Sequence, residues 1–252
     1  MRQDDILGII PARYASTRFP GKPLADIGGT PMIQRVYEQA SKVLSNVVVA
    51  TDDQRIYNAV KSFNGEVVMT SEKHQSGTDR SSEALNIVEN KTLKTFSVVV
   101  NIQGDEPFIH PEQIEKLTSC FYNTNTEIAT LVKPLNSEDE LFNPNKPKVV
   151  LNKNSQALYF SRSPIPYLRN VPQKEWHKHH QYYIHIGLYA YRSDILREIT
   201  LLNQGLLEKA ESLEQLRWIE NGYNITTRKT EVENWSVDTP EDIEKLKEKG
   251  IF

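Results

Sequence analysis

A single cysteine in 252 residues, Cys120, leaves no partner for an internal disulfide and points to a reducing compartment. Charge of one sign is also scarce. The 33 acidic and 30 basic residues leave a formal net charge of −3, too little to draw the whole surface toward nucleic acid. No apolar run approaches the ~20 residues that a spanning helix needs. The opening MRQDDILGIIPAR lacks the layout of a signal peptide. No GxxxxGK[ST] phosphate loop occurs, and neither an internal repeat nor a low-complexity tract interrupts the chain. The expectation is a cytoplasmic globular protein, bound to neither membrane nor nucleic acid, in which any phosphate recognition comes from a local cluster. Its length suits one domain, or one domain with a sizeable insertion.

What is present is rhythm. Ile6–Pro11, Val47–Thr51, Glu66–Met69 and Phe96–Gln103 are short, β-branched and apolar, and read as strands. Between them Pro31–Leu44, Asp53–Phe63 and Thr78–Asn90 carry the spacing of amphipathic helices, with Thr30 as an N-cap before Pro31. Strands alternating with helices predict parallel pairing through crossovers, and runs such as SVVVN predict a sheet covered on both faces. A Rossmann-like layered fold follows, its site at the carboxyl ends of the strands.

Past Lys133 the segment becomes loop-rich. Lys148–Leu151, Ala157–Ser161, Ile184–Arg192 and Tyr223–Arg228 then read as strands, Glu208–Asn221 and Pro240–Lys249 as helices, and residues 169–183 show no clear period. We therefore expect one domain in two halves, 1–133 and 134–252, the second carrying an inserted smaller sheet.

Four segments carry chemistry. IIPARYASTRFPGKPL, residues 9–24, follows the first strand with Arg13, Arg18 and Lys22 among the small residues Ala12, Ala15, Ser16 and Gly21. Backbone amides can approach an anion there while the cations balance phosphate charge; a solvated basic loop is the plainer alternative. NIQGDEP, residues 101–107, puts Asp105 at a strand's carboxyl end, as a Mg²⁺ ligand or as a turn residue. WSVDTPEDIEKL puts Asp238 before a helix, where local capping also explains an aspartate. HQSGTDR, residues 74–80, opens another helix; Ser76 or Thr78 can cap it, or the segment can meet a base edge. Arg162, isolated between strand and proline, is a fair carboxylate clamp on its own.

These blocks, with VATDD, FNPN, LYFSR, IHIGLYAYR, LEQLRW and VDTPED, stand in the order found in the 3-deoxy-manno-octulosonate (Kdo) cytidylyltransferases, which the chain resembles from Ile9 to Asp242. It departs at 169–183 and at Ser236, where the family pattern has glycine. The resemblance implies a three-layer α/β nucleotidyltransferase fold with a mostly parallel mixed sheet. It also implies transfer of CMP from CTP to Kdo, with release of pyrophosphate, for lipopolysaccharide biosynthesis. On that resemblance Arg18, Lys22, Asp105 and Asp238 are catalytic, with Asp105 and Asp238 holding Mg²⁺. Pro11, Ala12, Arg13, Ser76, Gly77 and Arg80 contact the nucleotide. Gln103, Arg162, His185, Tyr189, Glu214 and Gln215 contact the sugar acid, although residue type alone makes His185 a core histidine and Glu214 and Gln215 a solvated helix face. A homodimer is implied as well. The rival readings are a cytidylyltransferase for a nonulosonate, and a nucleotide-binding module without turnover.

Overall fold

The computed structural model describes residues 2–15, 19–233 and 235–252. In chain order the elements are β1 (Ile6–Ala12), α1 (Met32–Ser41), β2 (Val47–Thr51), α2 (Gln54–Ser62), β3 (Val67–Met69), α3 (Gly77–Thr92), β4 (Val98–Asn101) and α4 (Pro111–Ser119). There follow β5 (Ile128–Pro134), α5 (Glu138–Phe142), β6 (Lys148–Leu151), β7 (Ala157–Ser161), α6 (Trp176–His179), β8 (Tyr183–Arg192) and α7 (Ser193–Ile199). The last are α8 (Leu206–Glu211), α9 (Gln215–Glu220), β9 (Ile225–Lys229) and α10 (Pro240–Glu248). The fold is α/β, mixed and mostly parallel. Among the described residues no helix is long and apolar enough to cross a membrane.

Two compact units are interleaved along the chain. The first holds Met1–Glu115, Ala190–Thr200 and Glu233–Phe252; the second holds Lys116–Tyr189 and Leu201–Val232. The sequence suggests a break near 133. The structure places it at Glu115/Lys116 and returns two later segments to the first unit.

In the first unit the strands run parallel in the order β3-β2-β1-β4, with Ile9 opposite Val48 on one side and Asn101 on the other. Every residue of β2 and β4 is buried, as their unbroken apolar character requires. Helix α1 buries Met32, Ile33, Val36 and Ala40 at the expected three-to-four spacing. Its N-cap is Pro31, not Thr30, because the Met32 N–H closes back on the Ala25 carbonyl. The closing helix α10 begins as expected, with Asp242 accepting the Thr239 N–H at 3.0 Å.

In the second unit β5 pairs parallel with β9, and the Thr130 hydroxyl bridges the Ile186 and Leu188 carbonyls of β8. The inserted element is the antiparallel pair β6–β7, with β6 also meeting β8 at Lys148 and Ile184. Residues 169–183, patternless in sequence, contribute Trp176 and Tyr182 to a core with Leu135, Leu141 and Ile184. The single helix expected over Glu208–Asn221 is two helices, α8 and α9, separated at Ser212 with φ +51°.

Candidate active site

The cleft of the first unit opens where topology predicts. Strand β1 has β2 on one side and β4 on the other, so the turns leaving β1 and β4 diverge and leave a crevice at the strands' carboxyl ends. A cavity of about 250 Å³ lies there, bordered by Pro11, Ala12 and Arg13 after β1 and by Gln103, Gly104 and Asp105 after β4. Gly104 is obligatory: a Cβ on it would stand 2.9 Å from the Pro11 carbonyl oxygen.

Gln75, Ser76, Gly77 and Arg80 border the cavity at the start of α3. Ser76 is that helix's N-cap, accepting the Asp79 N–H at 3.1 Å while Asp79 accepts the Ser76 N–H at 3.2 Å, so the partly positive end of a 16-residue helix is held at the cleft. Arg80 is buried and committed. Its Nη1 donates to Thr70 Oγ1 and its Nη2 to Asp52 Oδ2, each at 2.6 Å. This guanidinium is therefore a fixed cationic wall rather than a mobile arm. Arg13, by contrast, is exposed at the rim.

Lys22 and the two aspartates form the centre. The Val237 N–H donates to the Asp105 carbonyl at 3.1 Å and stitches the C-terminal segment to the turn after β4. That bond brings Asp238 beside Asp105. Lys22 Nζ lies 2.7 Å from Asp105 Oδ2 and 3.3 Å from Asp238 Oδ1. Two carboxylates that both reach one nitrogen are close enough to share a cation. Hard oxygen donors in that number suit Mg²⁺, which takes one or two carboxylates and completes its shell with phosphate oxygens and water. Among the described residues no cluster of three or more His, Cys, Asp or Glu forms a metal cage, so an ion held by these two carboxylates would take its other ligands from water or a bound anion.

His74 also borders the cleft and is paired with Glu83, whose carboxylate accepts the Ser71 N–H at 2.8 Å. His74 and Gln75 escaped the sequence reading, although they head the HQSGTDR block that pointed here. Ser16 and Arg18 lie outside the described residues.

Gln103 belongs to the first unit, and the other five residues expected to meet the sugar belong to the second. Arg162 is held by backbone carbonyls: Nε donates to Glu211 at 2.6 Å, Nη1 to Pro144 at 3.0 Å and Nη2 to Ser212 at 3.2 Å. Its own N–H donates to Glu211 Oε2 at 2.9 Å. His185 and Tyr189 share one face of β8, with their rings 5.2 Å apart. Phe160 meets His185 edge-on at 5.0 Å, and Trp218 meets Tyr189 at 5.1 Å. Burial pushes the His185 imidazole down to about 3, so it is neutral, and its Nε2 is sealed from solvent without a hydrogen-bond partner. Glu214 precedes α9, and Gln215 opens it, buried, with an Nε2 that likewise lacks a partner. Orphaned buried polar atoms of this kind are rare and need an explanation. Lys148, unremarked in the sequence, is fully buried at the start of β6; burial lowers it to about 8 while its Nζ donates to the Asn143 carbonyl.

Comparison with known proteins fits this geometry. The cytidylyltransferase family profile matches residues 7–243. The 3-deoxy-manno-octulosonate cytidylyltransferase of Parabacteroides distasonis is 64% identical over 243 residues, 95% of each chain. That of Bacteroides thetaiotaomicron is 58% identical over 245 residues, 96% of each. A solved CMP:2-keto-3-deoxy-manno-octonic acid synthetase complexed with CTP superposes with a TM-score of 0.88 at 43% identity, covering 98% of both chains. A cytidylyltransferase from Leptospira borgpetersenii shares the fold at 18% identity, with a TM-score of 0.61 over 96% of this chain and 85% of its own.

Proposed function

Because the chain belongs to the cytidylyltransferase family, we propose that it transfers CMP from CTP to the anomeric hydroxyl of Kdo, giving CMP-Kdo and pyrophosphate. The observation that carries this reading is the convergence of Asp105 and Asp238 on Lys22, in a cleft walled by Arg13, Arg80 and the start of α3. A site that only bound nucleotide would not require both carboxylates. The sugar is assigned from the names of the close relatives, and two orphaned amide and imidazole nitrogens in the second unit are chemically suited to hydroxyl groups.

In the reaction the sugar's anomeric oxygen forms a bond to the α-phosphorus as the bond to the bridging α–β oxygen breaks. The hydroxyl proton passes to solvent and pyrophosphate departs with the electron pair. The protein's work is positioning and charge balance. Pro11 and Ala12 offer backbone at the end of β1, Ser76 and Gly77 border the base and ribose, and Arg13, Arg18 and Lys22 hold phosphate oxygens. Asp105 and Asp238 would hold Mg²⁺, which neutralises phosphate charge and favours the ionised hydroxyl. Gln103, Arg162, His185, Tyr189, Glu214 and Gln215 bind the sugar acid, with Arg162 offering its remaining N–H groups to the carboxylate. A neutral His185 can meet a hydroxyl as donor or as acceptor. We place the enzyme in the cytoplasm, in keeping with its lone, buried Cys120, and as a homodimer on the family resemblance.

The test is pyrophosphate release with Mg²⁺ and CTP in the presence of Kdo, N-acetylneuraminate or no sugar. Release with Kdo alone is expected, and D105A and D238A should each lower turnover by two orders of magnitude or more. Release with the nonulosonate alone would overturn the sugar assignment. Turnover that survives both substitutions would remove the carboxylates from the chemistry.

A further inference from the structure

Lys22 stands in the place that the proposed reaction reserves for a divalent ion. Its ammonium contacts one oxygen of each carboxylate, at 2.7 and 3.3 Å, and so occupies the position from which a cation would bridge those two oxygens at ~2.1 Å. Its side chain is 14% exposed, against 36% for Asp105 and 45% for Asp238, so the ammonium is the more enclosed partner and the carboxylates face the cleft. The backbone beneath it is pinned. Gly21 takes φ +72°, the Leu24 N–H returns to the Gly21 carbonyl at 2.8 Å, and the Ala25 N–H returns to the Lys22 carbonyl at 3.0 Å. What can move is the four-carbon stem, a flexible arm that carries a compact charge and rotatable donors.

We propose that Lys22 is the resident counterion of Asp105 and Asp238 in the nucleotide-free enzyme and leaves them for the triphosphate when CTP arrives. The electrostatics favour this exchange. With Lys22 in place the trio carries a net charge of −1, and an arriving divalent ion must lose water and also evict a cation. Once triphosphate oxygens draw the ammonium away, the pair regains its full charge of −2, and the same oxygens complete the metal's shell. Metal and nucleotide therefore bind the free enzyme cooperatively, and by linkage each strengthens the other by the same factor. Lys22 thus acts twice, first as a guard on the metal seat and then as a phosphate ligand. This inference rests on reading Asp105 and Asp238 as the metal ligands.

The experiment is a Mn²⁺ titration of the full-length, nucleotide-free protein by electron paramagnetic resonance, with the Mn²⁺-induced rise in Tm recorded alongside. Wild type is expected to bind weakly. K22M should bind one Mn²⁺ at least tenfold more tightly, and K22Q, a second neutral replacement, should do the same. K22R keeps the charge and should stay weak. The gain should vanish in the K22M/D105N double variant. Equal Mn²⁺ affinity in wild type, K22M and K22Q would overturn the role of Lys22 and leave the carboxylates as ligands. A gain that survives D105N would show that the ion sits elsewhere and overturn the carboxylate reading itself.

Discussion

His185 shows how much one residue's surroundings change its meaning. In sequence it is an apolar strand's histidine and reads as core. In the structure it packs between Phe160 and Tyr189 as a core residue does, yet its Nε2 is buried with nothing to bond. That combination weakens the fold slightly and suits a ligand hydroxyl. The pH dependence follows from the sign of the shift. Burial holds the folded imidazole at about 3 against an ordinary 6.5, so between those values the unfolded chain takes up a proton that the folded chain refuses. Stability contributed by the neutral ring is complete above 6.5 and is lost as pH falls toward 3. H185F should therefore keep its Tm at pH 7 and lose less of it than wild type on acidification to pH 4.5. Its KM for Kdo should rise about tenfold, the worth of one or two hydrogen bonds. Thermal melts at the two pH values and a sugar titration at saturating CTP measure both. A steeper acid loss in H185F, or an unchanged KM, would remove the residue from this role. Asp105 and Lys22 were easier to read, because each lies in a strand-then-turn block whose chemistry is local. Asp238 was not, since only the Val237–Asp105 hydrogen bond shows why it matters.

At the scale of elements, long apolar strands and helices beginning with a capping residue were legible: β2, β6 and β7 fall on their expected residues, and β1 and α3 within two. Elements whose cause is non-local were not. Helix α7 and strand β5 went unread in the sequence; β5 is held by pairing with β9 and α7 by packing on α3. The break between α8 and α9 is the clearest case. Neither glycine nor proline marks Ser212, which nonetheless takes the left-handed conformation. The break exposes the Glu211 and Ser212 carbonyls, and Arg162, some fifty residues earlier in the chain, takes both. One arginine thus holds the turn that leads into Glu214 and Gln215. R162A should lower stability by about 1–3 kcal/mol, since carbonyls lose charged donors. It should also raise KM for Kdo well above any change in KM for CTP. R162K, which lacks the planar fork, should restore charge but not the turn, so its KM for Kdo should stay elevated. Full rescue by R162K would mean that Arg162 serves as charge alone.

At the scale of the molecule, the chain order hides how the first unit is assembled. A reading along the sequence puts a nucleotide half in 1–133, because four strands with three helices between them lie there and the rhythm changes after Lys133. The structure completes that unit with two segments from much later. Helix α7 packs on α3, with Arg197 Nε donating to Asn86 at 3.0 Å. The C-terminal segment closes a core in which Ile27 and Met32 are fully buried against Val237 and Leu246. Removing large core partners costs ~2–5 kcal/mol for each side chain, and a domain has only ~5–15 kcal/mol to lose. A fragment ending at residue 133 lacks Val237, Leu246, Ile195 and Leu196 together, so it should not fold cooperatively. It also lacks Asp238 and so half of the carboxylate pair. We expect the 1–133 fragment to melt without a sigmoidal transition in urea and to bind a hydrophobic dye, while the full chain melts cooperatively. A cooperative transition in the fragment would show that four strands and their helices suffice, and that the returning segments supply only the aspartate.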